Sequence, residues 1–155
     1  MILDKIFDFF LINNLSLSTV ESVTGGKLSN SIIKKAGASK FFKGSLVTYS
    51  IESKINILQI DKDLIYKFSP VSKEISYEMV KSGKKILNTD YCISTTGNAG
   101  PSTNDDFSKV GQIFISIATP QKIITEQLSL SGSREEIIEI IVEKSHKLLL
   151  ENLIK

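Results

Sequence analysis

Short apolar stretches alternate with polar turns along this chain, and the period of the apolar positions changes from one stretch to the next. Ile2, Ile6, Phe9 and Phe10 share one helical face while Asp4, Lys5 and Asp8 lie off it, which predicts a helix over 2–13 ended by Asn13-Asn14. Leu15, Leu17 and Val20 alternate loosely with serines and predict a strand from Leu15 to Glu21. Thr24-Gly25-Gly26 then opens a helix to about Lys35, stopped by Ala36-Gly37-Ala38. Leu46-Val47-Thr48-Tyr49 is β-branched and predicts a strand. Short helices follow over 51–58 and 62–68, the second stopped by Ser69-Pro70.

The same two periods recur downstream. Ser72 fits the cap of a helix carrying Ser76, Met79 and Val80, with Glu74 in its first turn and Gly83 marking its end. Strands are predicted over Asp90–Thr95, Val110–Ala118 and Ile123–Leu130, with a polar loop over 97–109. Thr119-Pro120-Gln121-Lys122 joins the last two strands as a hairpin. Ser133 with Glu136 three residues later is a capping-box signature for a long helix to Leu153, whose Ile137, Ile140, Ile141, Leu148 and Leu149 face inward. Strands alternating with helices, then one hairpin, predict a single α/β domain over 1–155. Its expected form is a three-layer α/β/α sandwich around a mixed, mostly parallel sheet of about five strands.

Composition narrows the function classes. Apolar residues at 41% and charged residues at 23% are ordinary for a globular domain. The formal net charge of +2 gives no reason to expect a nucleic-acid or membrane partner. Cys92 is the only cysteine, which excludes a disulfide within the chain and favours the cell interior. The opening Met1-Ile2-Leu3-Asp4-Lys5 carries an early acidic residue and no long apolar run, so a cytoplasmic location is expected. Cys92 itself reads as a small core residue inside a strand. His146, the only histidine, sits mid-helix beside Glu143, Lys144 and Lys147 and reads as a surface residue. Asp105-Asp106 lacks a third acidic ligand nearby, so no metal is expected, and no cofactor either.

Candidate chemistry gathers where extended runs give way to turns. Ser22 stands at a strand-to-helix junction, a position that exposes its hydroxyl near a helix N-terminus; it is also where serines ordinarily cap helices. Gly25-Gly26-Lys27 is no phosphate loop, because Glu21 and Leu28 hold the positions where that motif needs glycine and a hydroxyl residue. With no histidine in these stretches, a Ser–Lys pair is the available way to activate Ser22. Any single lysine here is otherwise a solvated side chain. Thr96 precedes a Gly97-Asn98-Ala99-Gly100-Pro101 turn whose backbone N–H groups can converge on an oxygen. Strand-ending turns of this composition also occur without function.

Glu21-Ser22-Val23-Thr24-Gly25-Gly26, Tyr49-Ser50-Ile51-Glu52-Ser53-Lys54 and Thr96-Gly97-Asn98-Ala99-Gly100-Pro101 resemble, in order and spacing, three motifs of the CinA C-terminal domain family. That family includes stand-alone nicotinamide mononucleotide deamidases. The resemblance runs from about Val20 to Arg134. It implies an amidohydrolase that converts nicotinamide mononucleotide to nicotinic acid mononucleotide and ammonia. It implies Ser22 as nucleophile, Lys54 as its base and Tyr49 as a third catalytic group. Glu21, Thr24, Gly25, Gly26, Thr96, Gly97, Ala99, Gly100 and Arg134 then line the substrate site, with the amide and the 5′-phosphate divided between the two glycine turns and Arg134 in an order the motifs leave open. A homodimer or higher homo-oligomer is also implied. The chain departs from the pattern at Val23, at Ile138 where a second arginine is usual, at Ser102-Thr103-Asn104 in place of further glycines, and at Lys109 in place of proline. These departures touch the pocket, which keeps a second reading alive: a non-catalytic nucleotide-binding or regulatory domain, associated with competence or damage response.

Overall fold

A computed structural model describes residues 1–153. The elements are α1 (Ile2–Asn13), β1 (Leu17–Glu21), α2 (Lys27–Ile33), β2 (Phe42–Val47), α3 (Ile51–Asn56), α4 (Lys62–Phe68), α5 (Lys73–Leu87), β3 (Tyr91–Gly97), β4 (Gln112–Ala118), β5 (Ile123–Ser129) and α6 (Arg134–Glu151). The five strands form one sheet in the order β2-β1-β3-β4-β5. β1 pairs in parallel with β2 and β3, and β4 is antiparallel to both β3 and β5, so β4 alone runs against the other four. No described helix is long and apolar enough to cross a membrane.

Side-chain alternation assigns the two faces of the sheet. Leu17, Tyr91, Ile93, Ile113, Ile115 and Ile117 pack with α1, α2 and α6 around Phe7, Phe10 and Phe41. The intervening positions Val20, Cys92 and Ala118 pack with α4 and α5. On that second face the contact is unusually close. Ser76 of α5 hydrogen-bonds Ser116 Oγ at 2.7 Å, and Ser94 Oγ donates to the Ser76 carbonyl at 2.8 Å.

Gly83 belongs to this close contact. It does not end α5, which continues to Leu87 and closes on Asn88 in the left-handed region. A Cβ at Gly83 would stand 1.9 Å from Val20 Cγ2, so the helix can lie this near the sheet only where a side chain is missing. Gly83→Ala is therefore expected to destabilise the fold by about 1–3 kcal/mol through overpacking, measured as a lowered denaturant midpoint. An unchanged midpoint would show that α5 can move away from β1 at no cost.

Two further expectations are corrected. His146 is 8% exposed because α6 packs on α2, where its Nε2 lies 3.0 Å from Ser31 Oγ; burial pushes its pKa down to about 4. The second strand begins and ends earlier than its β-branched run, because β2 pairs only as far as Val47 opposite Glu21. Thr48 and Tyr49 lie beyond it, and Tyr49 is 63% exposed.

Candidate active site

In the order β2-β1-β3, the chain moves to one side of β1 and then crosses to the other. Open sheets bind ligands beyond the carboxyl ends of strands at such a reversal. Ser22 follows the last residue of β1 at this edge and is tied to β3 by its N–H, which donates to the Thr95 carbonyl at 2.9 Å. Across the other neighbour, the Thr48 N–H donates to the Glu21 carbonyl at 2.9 Å, which carries the chain past Ser22 and into α3.

Lys54 is brought in by that path. Ser50 caps α3, accepting the Ser53 N–H at 3.0 Å, and the helix then turns Lys54 back under the strand ends. The lysine is 2% exposed. Its Nζ donates to the Thr48 carbonyl at 2.7 Å and to Ser22 Oγ at 3.0 Å. Among the described residues no carboxylate contacts it, and burial pulls its pKa from 10.5 down to about 8. Burial without a counter-ion brings the amine's pKa within reach of neutral pH, so that a usable fraction is uncharged and able to take a proton.

Glu21 occupies the place where an anionic ligand was expected. Its carboxylate is fully buried and accepts backbone N–H groups from Gly26 at 3.2 Å, Leu28 at 2.9 Å and Ser29 at 2.9 Å. It also accepts the hydroxyls of Thr24 at 2.6 Å and Ser45 at 3.1 Å. The orphan donors and partial positive charge of the α2 N-terminus are thus satisfied from within the chain. Thr24 Oγ1 additionally bonds Thr95 Oγ1 at 2.8 Å. Gly25 and Gly26, at φ of 54° and 101°, supply the left-handed turn that lets Glu21 reach the helix behind it. Glu21, Thr24 and both glycines therefore fix the turn on which Ser22 sits.

The third motif forms the opposite wall. A Cβ at Gly97 would stand 2.4 Å from Ile113 Cδ1, so glycine is required where β3 meets β4. The Thr96 hydroxyl donates to the Pro70 carbonyl at 2.7 Å and anchors the 69–71 segment beside the site. Arg134, at the start of α6, donates to the Gly100 carbonyl at 2.7 Å and to Tyr49 Oη at 3.0 Å. It thereby ties the loop after β3 to the loop after β2. Two cavities meet at Ser22. One, of about 120 Å³, includes Val23, Ala99, Asn98 and Arg134. The other, of about 130 Å³, includes Lys54, Pro70 and Thr96. Ser22, Tyr49 and Asn104 line both. The N–H groups of Val23 and Ala99 have no hydrogen-bond partner among the described residues.

Ser22, Lys54, Tyr49, Thr96, Gly97, Ala99 and Arg134 thus converge on one pair of cavities, while Glu21, Thr24, Gly25 and Gly26 stand behind them and Gly100 reaches them through Arg134. The motifs did not single out Thr48, Asn98 or Asn104. Asn98 had a signal, since it lies inside the third motif. Asn104 stood out only as part of the Ser102-Thr103-Asn104 departure, because a polar loop has no period from which to read a side chain's direction. Among the described residues no group of three His, Cys, Asp or Glu side chains could hold a metal ion. Asp105 is instead committed to Ser69, Phe107 and Ser108.

Comparison with known proteins bears directly on this arrangement. A CinA-like protein from Flavobacterium psychrophilum is 38% identical over 141 residues, covering 91% of this chain and 34% of the relative. One from Petrotoga mobilis is 40% identical over 132 residues, covering 85% of this chain and 33% of the relative. The chain therefore spans about a third of the length of these relatives. The solved competence or damage-inducible protein from Enterobacter asburiae is 29% identical, with a TM-score of 0.93 over 97% of this chain and 94% of that one. A CinA superfamily protein from Enterobacter cloacae is 28% identical, with a TM-score of 0.93 over 97% of this chain and 89% of that one. The family model for the CinA C-terminal domain matches residues 2–153, and the chain belongs to that family.

Proposed function

We propose that this domain is an amidohydrolase that deamidates nicotinamide mononucleotide, with Ser22 as nucleophile and Lys54 as its base. The observation that carries the reading is the buried Lys54 Nζ, 3.0 Å from Ser22 Oγ and free of any carboxylate among the described residues. In its neutral form Lys54 takes the Ser22 hydroxyl proton as Oγ attacks the carboxamide carbon. Val23 and Ala99 line the same cavity as Ser22, and their unpaired N–H groups are the proposed donors to the developing oxyanion. Collapse of the tetrahedral adduct breaks the C–N bond, and the nitrogen leaves as ammonia with the proton from Lys54. Water then attacks the acyl-enzyme ester, with Lys54 again accepting a proton, and Ser22 is regenerated as the carboxylate departs.

Arg134 lines the same cavity as Ser22 and takes the 5′-phosphate, since the α2 N-terminus is already neutralised by Glu21. Neither cavity alone reaches the roughly 300–1,000 Å³ typical of ligand sites, so the nucleotide spans both cavities, which share Ser22, Tyr49 and Asn104. Phosphate binding at Arg134 orients the scissile amide as well as adding affinity. Removing the phosphate is therefore expected to lower kcat/KM by about 10- to 100-fold, with kcat falling too. Steady-state comparison of nicotinamide mononucleotide with its riboside checks this; equal efficiency on both would remove the nucleotide from the reading.

A further inference from the structure

The loop that closes the site carries a polar side chain that the mechanism above does not use. Asn104 lines both cavities together with Ser22 and Tyr49. Its orientation follows from a chain of hydrogen bonds that starts at an atom able only to accept. The Lys109 carbonyl is 3.1 Å from the side-chain amide of Asn98, so Asn98 must turn its Nδ2 that way. The same nitrogen donates to Ser108 Oγ at 2.7 Å. Asn98 Oδ1 then faces the opposite direction, where it accepts the Asn104 backbone N–H at 3.1 Å. That N–H can only donate, so both ends of Asn98, which is 2% exposed, agree on one orientation. The second group on Asn98 Oδ1 is the Asn104 side chain at 2.9 Å, which must therefore present Nδ2. Asn104 Oδ1 is left over, an acceptor with no donor among the described residues.

We infer that Asn104 Oδ1 accepts a hydrogen bond from the carboxamide NH2 of the substrate and selects a primary carboxamide over the corresponding carboxylate. This rests on the amidohydrolase reading of the same site. A carboxamide brings two N–H donors, whereas a carboxylate brings lone pairs alone. Facing a fixed acceptor, the first is held and the second repelled. Hydrolysis replaces the NH2 with an oxygen anion, so the contact that holds the substrate works against the product and hastens its release. Asn104 is thus a specificity-determining residue, held in place by Asn98.

The test uses the Ser22→Ala protein, which retains the pocket without turning substrate over. Calorimetric titration compares nicotinamide mononucleotide with nicotinic acid mononucleotide, before and after Asn104→Ala is added. The first protein is expected to prefer the amide, and Asn104→Ala to erase about tenfold of that preference, mainly by weakening amide binding. Asn104 is exposed, and an unchanged thermal midpoint would show that the double variant is folded. A preference that stays within about twofold of its starting value overturns the role of Asn104 and leaves the amidohydrolase reading standing. Failure of the Ser22→Ala protein to bind either nucleotide overturns both.

Discussion

Replacing Lys54 with methionine is expected to abolish turnover and, at neutral pH, to make the folded protein more stable. Turnover should fall about a thousandfold or more, because a general base acts in the transition state; KM should move far less. The stability effect has the opposite sign. Burial holds the folded pKa near 8 against an ordinary 10.5, and each pKa unit corresponds to about 1.36 kcal/mol. Below pH 8 the folded protein therefore carries a cost of about 3 kcal/mol for keeping this amine out of water. Methionine fills similar space without that cost, although the Thr48 carbonyl loses a donor worth about 1 kcal/mol. The net gain at pH 7 is about 2 kcal/mol, a sizeable part of a domain's total stability. Above both values, past pH 10.5, lysine is neutral whether folded or unfolded, and the gain should vanish. Stability present at high pH is lost as the pH falls through 10.5 towards 8 in the native protein only. Urea unfolding of both proteins at pH 7 and pH 10 would expose the trend. A variant that is less stable at pH 7, with no dependence on pH, would mean that burial does not lower the pKa of Lys54.

Ser22→Ala should be equally inactive for a different reason, and almost invisible in stability. It removes the attacking oxygen but keeps Lys54, Glu21 and the turn that positions both. Among the described residues Ser22 Oγ makes one hydrogen bond, to Lys54 Nζ, so unfolding free energy should change by no more than about 1.5 kcal/mol. The helix that follows keeps its cap, because Glu21 supplies it. This separates two roles that the motif alone leaves merged, since a serine at a strand-to-helix junction is ordinarily the cap itself. Substantial turnover in the alanine variant would return Ser22 to a structural role and leave the site without its nucleophile.

The architecture was legible because each element carries its own period and punctuation. Ser72 and Ser133 mark true helix starts, and the hairpin of β4 and β5 follows its alternating residues closely. What misled the reading was local inference about residues whose surroundings are tertiary. Gly83 looks like a helix end because glycine usually ends helices, yet its reason is a methyl group of Val20 on a neighbouring strand. His146 has charged neighbours along its own helix, but its environment is set by Ser31 of α2, far away in sequence. Lys54 resembles every other lysine until parallel pairing of β1 and β2 places Thr48 beside Ser22 and α3 turns the amine inward. The three motifs, distant in sequence, come together around one pair of cavities. They did not reveal that Glu21 closes the α2 N-terminus from inside, because a carboxylate five to eight residues before its N–H partners has no periodic signature. That one arrangement is why the proposed phosphate site is Arg134 and not the helix.

The central claim is that Lys54, its pKa lowered by burial, activates Ser22 towards a nucleotide carboxamide, and ammonia release from nicotinamide mononucleotide tests it most directly. Initial rates at low substrate would be followed from pH 6 to pH 10 for the native protein and for Ser22→Ala. The native protein should release ammonia with kcat/KM rising about tenfold per pH unit below 8 and levelling above it, as Lys54 loses its proton. Ser22→Ala should stay at background throughout. A native protein that binds the nucleotide yet releases no ammonia at any pH, or a Ser22→Ala variant that tracks the native profile, would contradict the account.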